Sequence, residues 1–294
     1  MNASPRNLVI PGLLFAMFWA SASVATKFGV QSAPPLVLAT VRFLIAGSGM
    51  LLVAYVFQKG NPMPTGVEWQ RLTIFAALNT TIYLGLFVLA LKQVSAGIGS
   101  LSTATNPLFI TLMSAIFLRR PLRWQEAAGL LLGLLGVCVA AYPLLGKAYA
   151  TVEGLLILLG SMLSISAATV YYARYNWRLP NLVINGWQVL IGGVLILPVT
   201  LLATDIRTTT FDGRFWASVG WLIGPVSVLA LQLWFRLVRA DAVKASLWLF
   251  LCPIFGFAYS SLLLNEPITA YTMVGTVLVI AGLGLGRQTK GTTA

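Results

Sequence analysis

The sequence AGIGSLSTATNPLF at residues 96–109 has a counterpart 146 residues further on, AVKASLWLFLCPIF at residues 242–255. The same register continues without a gap beyond both stretches and pairs Leu118 with Leu264, Pro121 with Pro267, Gly129 with Gly275, and Gly136 with Gly282. Chance leucine matches are common in an apolar chain, but prolines and glycines paired in one register indicate an internal repeat. The chain therefore contains one unit written twice, with predicted domains at residues 1–146 and 147–294.

Composition around this repeat excludes an ordinary soluble domain. Of 294 residues, 58% are apolar and 9% are charged, against roughly 25% charged in an average soluble domain. A membrane-spanning helix needs about 20 apolar residues, and only helices satisfy their backbone within such closely spaced spans. We predict an all-α membrane protein with ten transmembrane helices. They are Leu8–Val30, Leu36–Phe57, Leu72–Leu91, Ala96–Leu118, Gln125–Leu145, Gly154–Ala173, Leu182–Ala203, Phe215–Leu237, Ala242–Leu264 and Ile268–Gly286.

Five helices in each copy place the second copy upside down in the membrane, because an odd number of crossings reverses the direction. Inverted repeats of this kind are typical of secondary transporters, in which two similar halves alternately close each side. An alternative interpretation concerns the first span: Arg6, an apolar core and the small residues at 20–23 also fit a secretory signal. The apolar run continues to Val30, which favours a transmembrane helix.

The basic residues predict the orientation of the helices. Thirteen Lys and Arg fall on the side of the N-terminus, and four fall on the other side, namely Lys92, Lys147, Arg207 and Arg214. By the positive-inside rule both termini lie in the cytoplasm. The net charge of +12 is explained by this pattern, so we expect a lipid bilayer as partner and no nucleic acid.

Several motifs resemble those of a known family. They are WAS at 19–21, ATK at 25–27, RFLIAG at 42–47, SAG at 95–97, NPLF at 106–109, RPL at 120–122 and NEPIT at 265–269. Together they resemble the EamA-like members of the drug/metabolite transporter superfamily over nearly the whole chain. The resemblance implies a ten-helix exporter of small metabolites, commonly amino acids, in the bacterial inner membrane. We expect an aromatic amino-acid exporter within that group, although no local motif fixes the substrate.

Polar and aromatic side chains within the spans are the candidates for substrate binding, since such groups are costly in lipid unless they face a cavity or another helix. Each of them also fits an interhelical packing role. Pro107 and Pro253 are candidate hinges because proline removes a backbone donor at mid-depth, although a tolerated kink is the alternative. The substrate-binding candidates are Trp19, Ser23, Asn79, Tyr83, Thr103, Asn106, Ser164, Tyr171, Gln232 and Trp248.

Lys27 and Arg42 are the two ionisable residues well inside apolar segments. Both lie toward the outer ends of their spans, so their charged ends are expected either to extend to the interface or to bind a substrate carboxylate near an outer gate. Gln188 occupies the position of Arg42 in the second copy. The arginine therefore cannot be a symmetric gate element.

The sequence lacks the residues that several other functions would require. There is no histidine, and all seven acidic residues lie at span ends or in connections, which argues against an enzyme, a metal site or a buried carboxylate relay for protons. No glycine-rich phosphate loop is present, and we expect no cofactor. The sequence predicts a monomeric secondary transporter working by alternating access. A generic drug exporter, a channel and a membrane receptor are the alternatives.

Overall fold

The computed structural model describes residues 9–58, 60–117, 121, 123–145, 149–240 and 246–287, and every structural statement here concerns those residues. They form helices joined by short connections, and apart from one isolated bridge between Leu145 and Ala150 they contain no β-structure. The helices are α1 (Val9–Gly29), α2 (Pro35–Phe57), α3 (Gly66–Gln93), α4 (Ala96–Thr103), α5 (Asn106–Phe117), α6 (Trp124–Leu144), α7 (Val152–Ala173), α8 (Asn181–Ala203), α9 (Gly213–Trp221, Leu222–Ala230 and Leu231–Ala240), α10 (Cys252–Leu264) and α11 (Ala270–Arg287).

Seven of these helices are long and apolar enough to cross a membrane, and an eighth crossing results if α4 and α5 count as one bent span. The other two described apolar helices, α10 and α11, are shorter. Large apolar side chains are exposed along the helices, with Leu202 at 89% and Leu262 at 79%. Such surfaces fit hydrocarbon rather than water, so the prediction of an all-α membrane protein is confirmed in this coarser form.

The third helix begins earlier than predicted, at Gly66 rather than Leu72. The reason is a capping box: Glu68 accepts hydrogen bonds from the backbone N–H and the hydroxyl of Thr65. This satisfies donors at the helix start and extends α3 through a polar stretch that hydropathy alone leaves out.

The fourth predicted span is broken rather than continuous. α4 ends at Thr103 and α5 begins at Asn106, with an angle of 46° between them. Pro107 is the second residue of α5 and lacks the N–H that would bond to the carbonyl of Thr103, which ends the first helix there. Pro253 is likewise the second residue of α10, after a 3₁₀ segment at Ser246–Leu251.

Three of the described helices contain π-helical segments. The segment in α2 covers Val53–Phe57, and the other two occupy equivalent positions in the two copies. α3 is π-helical over Ala77–Ile82, and α9 is π-helical over Leu222–Ala230. A shift of 146 residues carries the α3 segment into the α9 segment. π-Helical segments are rare in proteins, and those that occur are often found at functional sites. Their presence at equivalent positions of α3 and α9 identifies these parts of the two helices as candidates for function.

Helices α6 and α11 pack closely through glycines. A Cβ placed on Gly136 would lie 2.6 Å from the carbonyl oxygen of Gly275, and a Cβ on Gly282 would lie 2.6 Å from that of Gly129. Gly275 is the counterpart of Gly129, and Gly282 is the counterpart of Gly136. Each glycine therefore contacts the counterpart of the other, as residues do across a two-fold axis, and the two helices run antiparallel.

Helices α2 and α8 repeat this reciprocal pattern. Gly47 lies against the backbone of Leu190, and Gly193 lies against Leu44, where Leu190 and Gly193 are the counterparts of Leu44 and Gly47. Three pairs of helices also begin 146 residues apart: α2 and α8, α5 and α10, and α6 and α11.

Candidate functional site

A cleft opens between α1, α2, α3, α4 and α9, and it contains about 380 Å³ of unfilled space including its open side. Its wall is part aromatic and apolar and part hydroxyl-bearing, with one charged side chain. The lining residues are Trp19, Ala22, Ser23, Thr26, Arg42, Tyr83, Leu84, Phe87, Thr103 and Val226. The lining combines apolar and aromatic side chains with a few polar groups, as the lining of small-molecule sites does.

Arg42 supplies the charge, and it is 94% buried rather than extended to the interface. Its Nη2 donates a hydrogen bond of 3.0 Å to the Ser227 hydroxyl on α9, and the guanidinium lies 5.7 Å from the centre of the Phe43 ring. Its Nε has no hydrogen-bond partner. Of the two expectations for Arg42, extension to the interface is wrong, because the side chain is buried and hydrogen-bonded to α9.

Gln188, the counterpart of Arg42, has a different environment. Its amide oxygen accepts from the hydroxyl of Thr80 at 2.6 Å and from the amide of Asn79 at 3.2 Å, and its amide nitrogen donates to Asn185 at 2.9 Å. The two contacts are reciprocal, since Arg42 reaches the π-helical part of α9 and Gln188 reaches that of α3. The second copy therefore has a neutral, hydrogen-bonded network where the first has a charge facing a cleft.

Five predicted site residues come together in the cleft: Trp19, Ser23, Arg42, Tyr83 and Thr103. The prediction missed Phe87, whose ring centre is 6.0 Å from that of Tyr83. Phe87 follows Tyr83 by four residues on the same helix, so both side chains lie on one face. This spacing is the sequence signal that could have identified Phe87. Leu84 and Val226 carry no comparable signal in so apolar a sequence.

Several other predicted residues pack between helices instead of lining the cleft. Asn79 belongs to the Gln188 network, and Ser164 donates to the carbonyl oxygen of Leu78 at 2.7 Å. Asn106 is buried at the start of α5, with no partner for its Oδ1.

The remaining candidates lie away from the cleft. The ring of Tyr171 packs 5.0 Å from that of Tyr175, and Gln232 is exposed on α9. Trp248 packs in an apolar cluster with Phe15, near Trp19. None of these three side chains lines the cleft around Arg42.

Lys27 is half-buried at the end of α1, and the charge of Glu266 acts on it. The Glu266 carboxylate accepts from the backbone N–H groups of Ala96 at 2.9 Å and Gly97 at 3.2 Å, at the start of α4. It follows Asn265, whose left-handed φ of 52° ends α10. Glu266 thus joins the two copies at the start of α4, and its charge acts on Lys27 at the end of α1.

Within the described residues, no group of three His, Cys, Asp or Glu side chains is placed to hold a metal ion. The cleft offers one positive charge, several hydroxyl groups and an aromatic wall. This set of groups can bind and orient a small molecule.

The comparisons with known proteins agree with this geometry. The profile of the EamA-like transporter family matches the chain twice, at residues 7–142 and 152–285. A similar protein is "Uncharacterized transporter YvbV" of Bacillus subtilis (strain 168), 27% identical and covering 97% of this chain and 93% of its own length. "Protein PecM" of Dickeya dadantii (strain 3937) is 26% identical over 90% of this chain and 87% of its own.

A further relative, "Uncharacterized inner membrane transporter YedA" of Escherichia coli (strain K12), is 28% identical over 95% of this chain and 83% of its own. A chain in a crystal structure shares the fold with a TM-score of 0.68 at 21% identity, covering 97% of this chain and 98% of that one. The family profile covers both halves of the sequence, so the chain belongs to the EamA-like transporter family, within the drug/metabolite transporter superfamily.

Proposed function

We propose that this membrane transporter is a secondary carrier that exports small metabolites, with amino acids, including aromatic ones, as the substrate class that its sequence suggests. Ten helices in two inverted repeats, residues 1–146 and 147–294, alternately open the cleft to the two sides of a bacterial inner membrane. Both termini are cytoplasmic in this arrangement, and the carrier works as a monomer.

The reciprocal contacts support the inverted repeat. In the pairs α6 with α11 and α2 with α8, each helix packs antiparallel against its own counterpart in the other copy, and each contact is repeated with the two partners interchanged. A two-fold axis in the membrane plane produces this pattern. The two separate family matches support the duplication. Bistable packing of two like halves is the basis of alternating access, since neither half is distinguished by its fold.

The cleft around Arg42 is the observation that carries the substrate assignment. A buried guanidinium can bind a carboxylate through charge-assisted hydrogen bonds, and Trp19, Tyr83 and Phe87 offer aromatic faces to a substrate body. One positive charge fits a carboxylate better than a phosphate dianion. A generic drug exporter remains the alternative, because apolar walls also accept uncharged compounds.

Counterflow of labelled substrate in proteoliposomes tests the proposal. Tyr83→Ala removes an aromatic wall of the cleft, and we expect it to reduce counterflow of an aromatic amino acid about tenfold or more, as loss of a buried aromatic contact does. Gln232→Ala is the matched control on the exposed face of α9 and leaves counterflow unchanged.

The same assay separates a carrier from a channel or a receptor. A carrier shows acceleration of labelled uptake by unlabelled substrate on the opposite side, whereas a channel does not and a receptor shows no flux at all. Absence of counterflow for every amino acid tested, with the protein correctly inserted, would contradict amino-acid transport.

A further inference from the structure

We propose that the cleft selects its ligand by a single carboxylate, and that it binds monocarboxylate anions with an aromatic or apolar body more tightly than the zwitterions with the same body. The inference deepens the proposed function and rests on the same cleft. It makes the carboxylate the required group and the ammonium of an amino acid a dispensable one.

Arg42 carries the argument because its charge is buried and incompletely bound. One nitrogen, Nη2, donates to the neutral hydroxyl of Ser227, and the buried Nε donates to nothing. A buried charge is costly unless an opposite charge and further hydrogen bonds compensate for it. The arginine fork is suited to two parallel bonds with a carboxylate, which would supply both the charge and the missing acceptor.

The counterpart residue shows what a purely structural polar side chain at this position looks like. Gln188 uses both ends of its amide, with Thr80, Asn79 and Asn185 as partners. Arg42 occupies the same position in the other copy and keeps an unpaired donor beside a cleft. The difference indicates that Arg42 is kept for a ligand rather than for packing.

The rest of the lining determines what the ligand's other end can be. The residues around the cleft in the described part of the chain include no Asp or Glu. Two acidic residues in the described part of the chain are buried, and both accept hydrogen bonds outside the cleft. Glu266 accepts at the start of α4, and Glu126 accepts at the start of α6. An ammonium group that enters the cleft would therefore exchange its hydrating water for contacts with hydroxyl oxygens and aromatic rings. No opposite charge in the lining would compensate for that loss.

Aromatic and apolar side chains line the cleft together with Arg42. Tyr83 is 4% exposed and Phe87 is 5% exposed, and Trp19 lies with them at the cleft. A phenyl-sized body packs against such faces by burial and by offset or edge contacts. The ligand class is thus a carboxylate with an aromatic or apolar tail.

Three probes with one body test the inference on the unaltered chain: 3-phenylpropionate, phenylalanine and 2-phenylethylamine. Dissociation constants are measured on the purified full-length protein in lipid nanodiscs, by ligand-dependent shifts of the unfolding temperature. We expect 3-phenylpropionate to bind about tenfold or more tightly than phenylalanine, and 2-phenylethylamine not to bind. Equal or tighter binding of phenylalanine, binding of the amine, or no binding of any probe overturns the inference.

Arg42→Gln, which puts the residue of the second copy at this position, should weaken 3-phenylpropionate binding about 10- to 100-fold. Arg42→Lys keeps the charge but loses the fork and should fall between the two. Arg178→Gln is the matched control, since Arg178 pairs with Glu68 at 3.0 Å outside the cleft and should leave binding unchanged. Unaltered affinity in Arg42→Gln would contradict the assignment.

Binding and transport can fail separately. If 3-phenylpropionate binds through Arg42 but no probe shows counterflow, the transport proposal falls and the carboxylate site stands. If phenylalanine shows counterflow that Arg42→Gln leaves unchanged, the transport proposal stands and the carboxylate site falls.

Discussion

Arg42 and Gln188 differ by one charge at equivalent positions, and this difference has a consequence for stability as well as for binding. Breaking the symmetry of a repeat with a buried guanidinium costs desolvation free energy that a neutral amide avoids. The ligand-free protein carries that cost, so the cleft is a place where function opposes stability.

We therefore expect Arg42→Gln to be neutral or stabilising in the absence of ligand. The variant no longer buries an unpaired charge. Replacing a buried ion pair by well-packed apolar residues is often neutral or stabilising by about 1–4 kcal/mol, and we expect removal of a single buried charge to act in the same direction. The unfolding temperature in nanodiscs, measured without ligand and compared with Arg178→Gln, checks this.

A lowered unfolding temperature in Arg42→Gln would mean that the guanidinium holds α2 and α9 together. In that case its contact with Ser227 would be structural. The prediction thus separates a ligand-binding arginine from a packing one by a measurement that needs no substrate.

Residue-level prediction from the sequence relied on side chains whose chemistry is unusual for lipid. Tyr83, Thr103 and Arg42 are polar groups at depth, and the structure brings all three to the cleft. Asn79 and Ser164 met the same criterion but bind other helices. The choice between the two roles depends on the rotation of each helix about its axis, which packing sets and one-dimensional spacing does not reveal.

At the scale of elements, glycines determine how closely α6 and α11 approach. A Cβ on Gly275 would clash with the carbonyl oxygen of Gly136 and lie 2.7 Å from the Cβ of Ala140. The obstructing atoms belong to backbone and to an alanine, so no flexible side chain can move aside. Small residues allow such close packing in lipid.

Gly275→Ala should therefore destabilise the protein by about 1–3 kcal/mol, the usual cost of overpacking. Gly284→Ala on the same helix is the control, because its Cβ would meet nothing within 4 Å. The midpoints of thermal unfolding of the two variants, compared in one lipid, measure the effect. Equal midpoints would contradict the close packing of α6 on α11.

The element boundaries show why hydropathy alone was incomplete. It identified the apolar part of every described helix but missed the first turns of α3, which depend on the capping of Thr65 by Glu68. It also ran through the break before Pro107, since Ala104 and Thr105 are compatible with a membrane span. Local hydrogen bonding decides these ends, and average hydropathy does not register it.

For the whole molecule, contacts between connections provide an independent check on the alternation of the helices. The connection before α2 meets that before α9, where Ser32 donates to Asp212 at 3.0 Å. The connection before α4 meets that before α7, where Thr151 donates to Gln93 at 2.7 Å. By the predicted orientation all four connections lie on the outer side.

The connection before α8 meets the connection before α3 and the first turn of α3, where Arg178 donates to the carbonyl oxygen of Met63 at 3.1 Å and pairs with Glu68 at 3.0 Å. The Glu68 hydrogen bond raises the pKa of Arg178, so this pair stays charged at physiological pH. Both connections are predicted to be cytoplasmic. Contacts thus join outer connections to outer ones and inner to inner ones, which is the pattern that alternating crossings require.

The orientation itself predicts which connections a membrane-impermeant thiol reagent reaches in intact cells. In a background of Cys138→Ala and Cys252→Ala, Asp205→Cys lies in the exposed connection before α9 and should be labelled from outside. Asn176→Cys, in the connection before α8, should be labelled only after the membrane is opened, because three of every four Lys and Arg in connections fall on its side. Reversed labelling would place the termini outside. Labelling of both positions from outside would mean that the chain does not cross the membrane an odd number of times between them, which would contradict the inverted repeat.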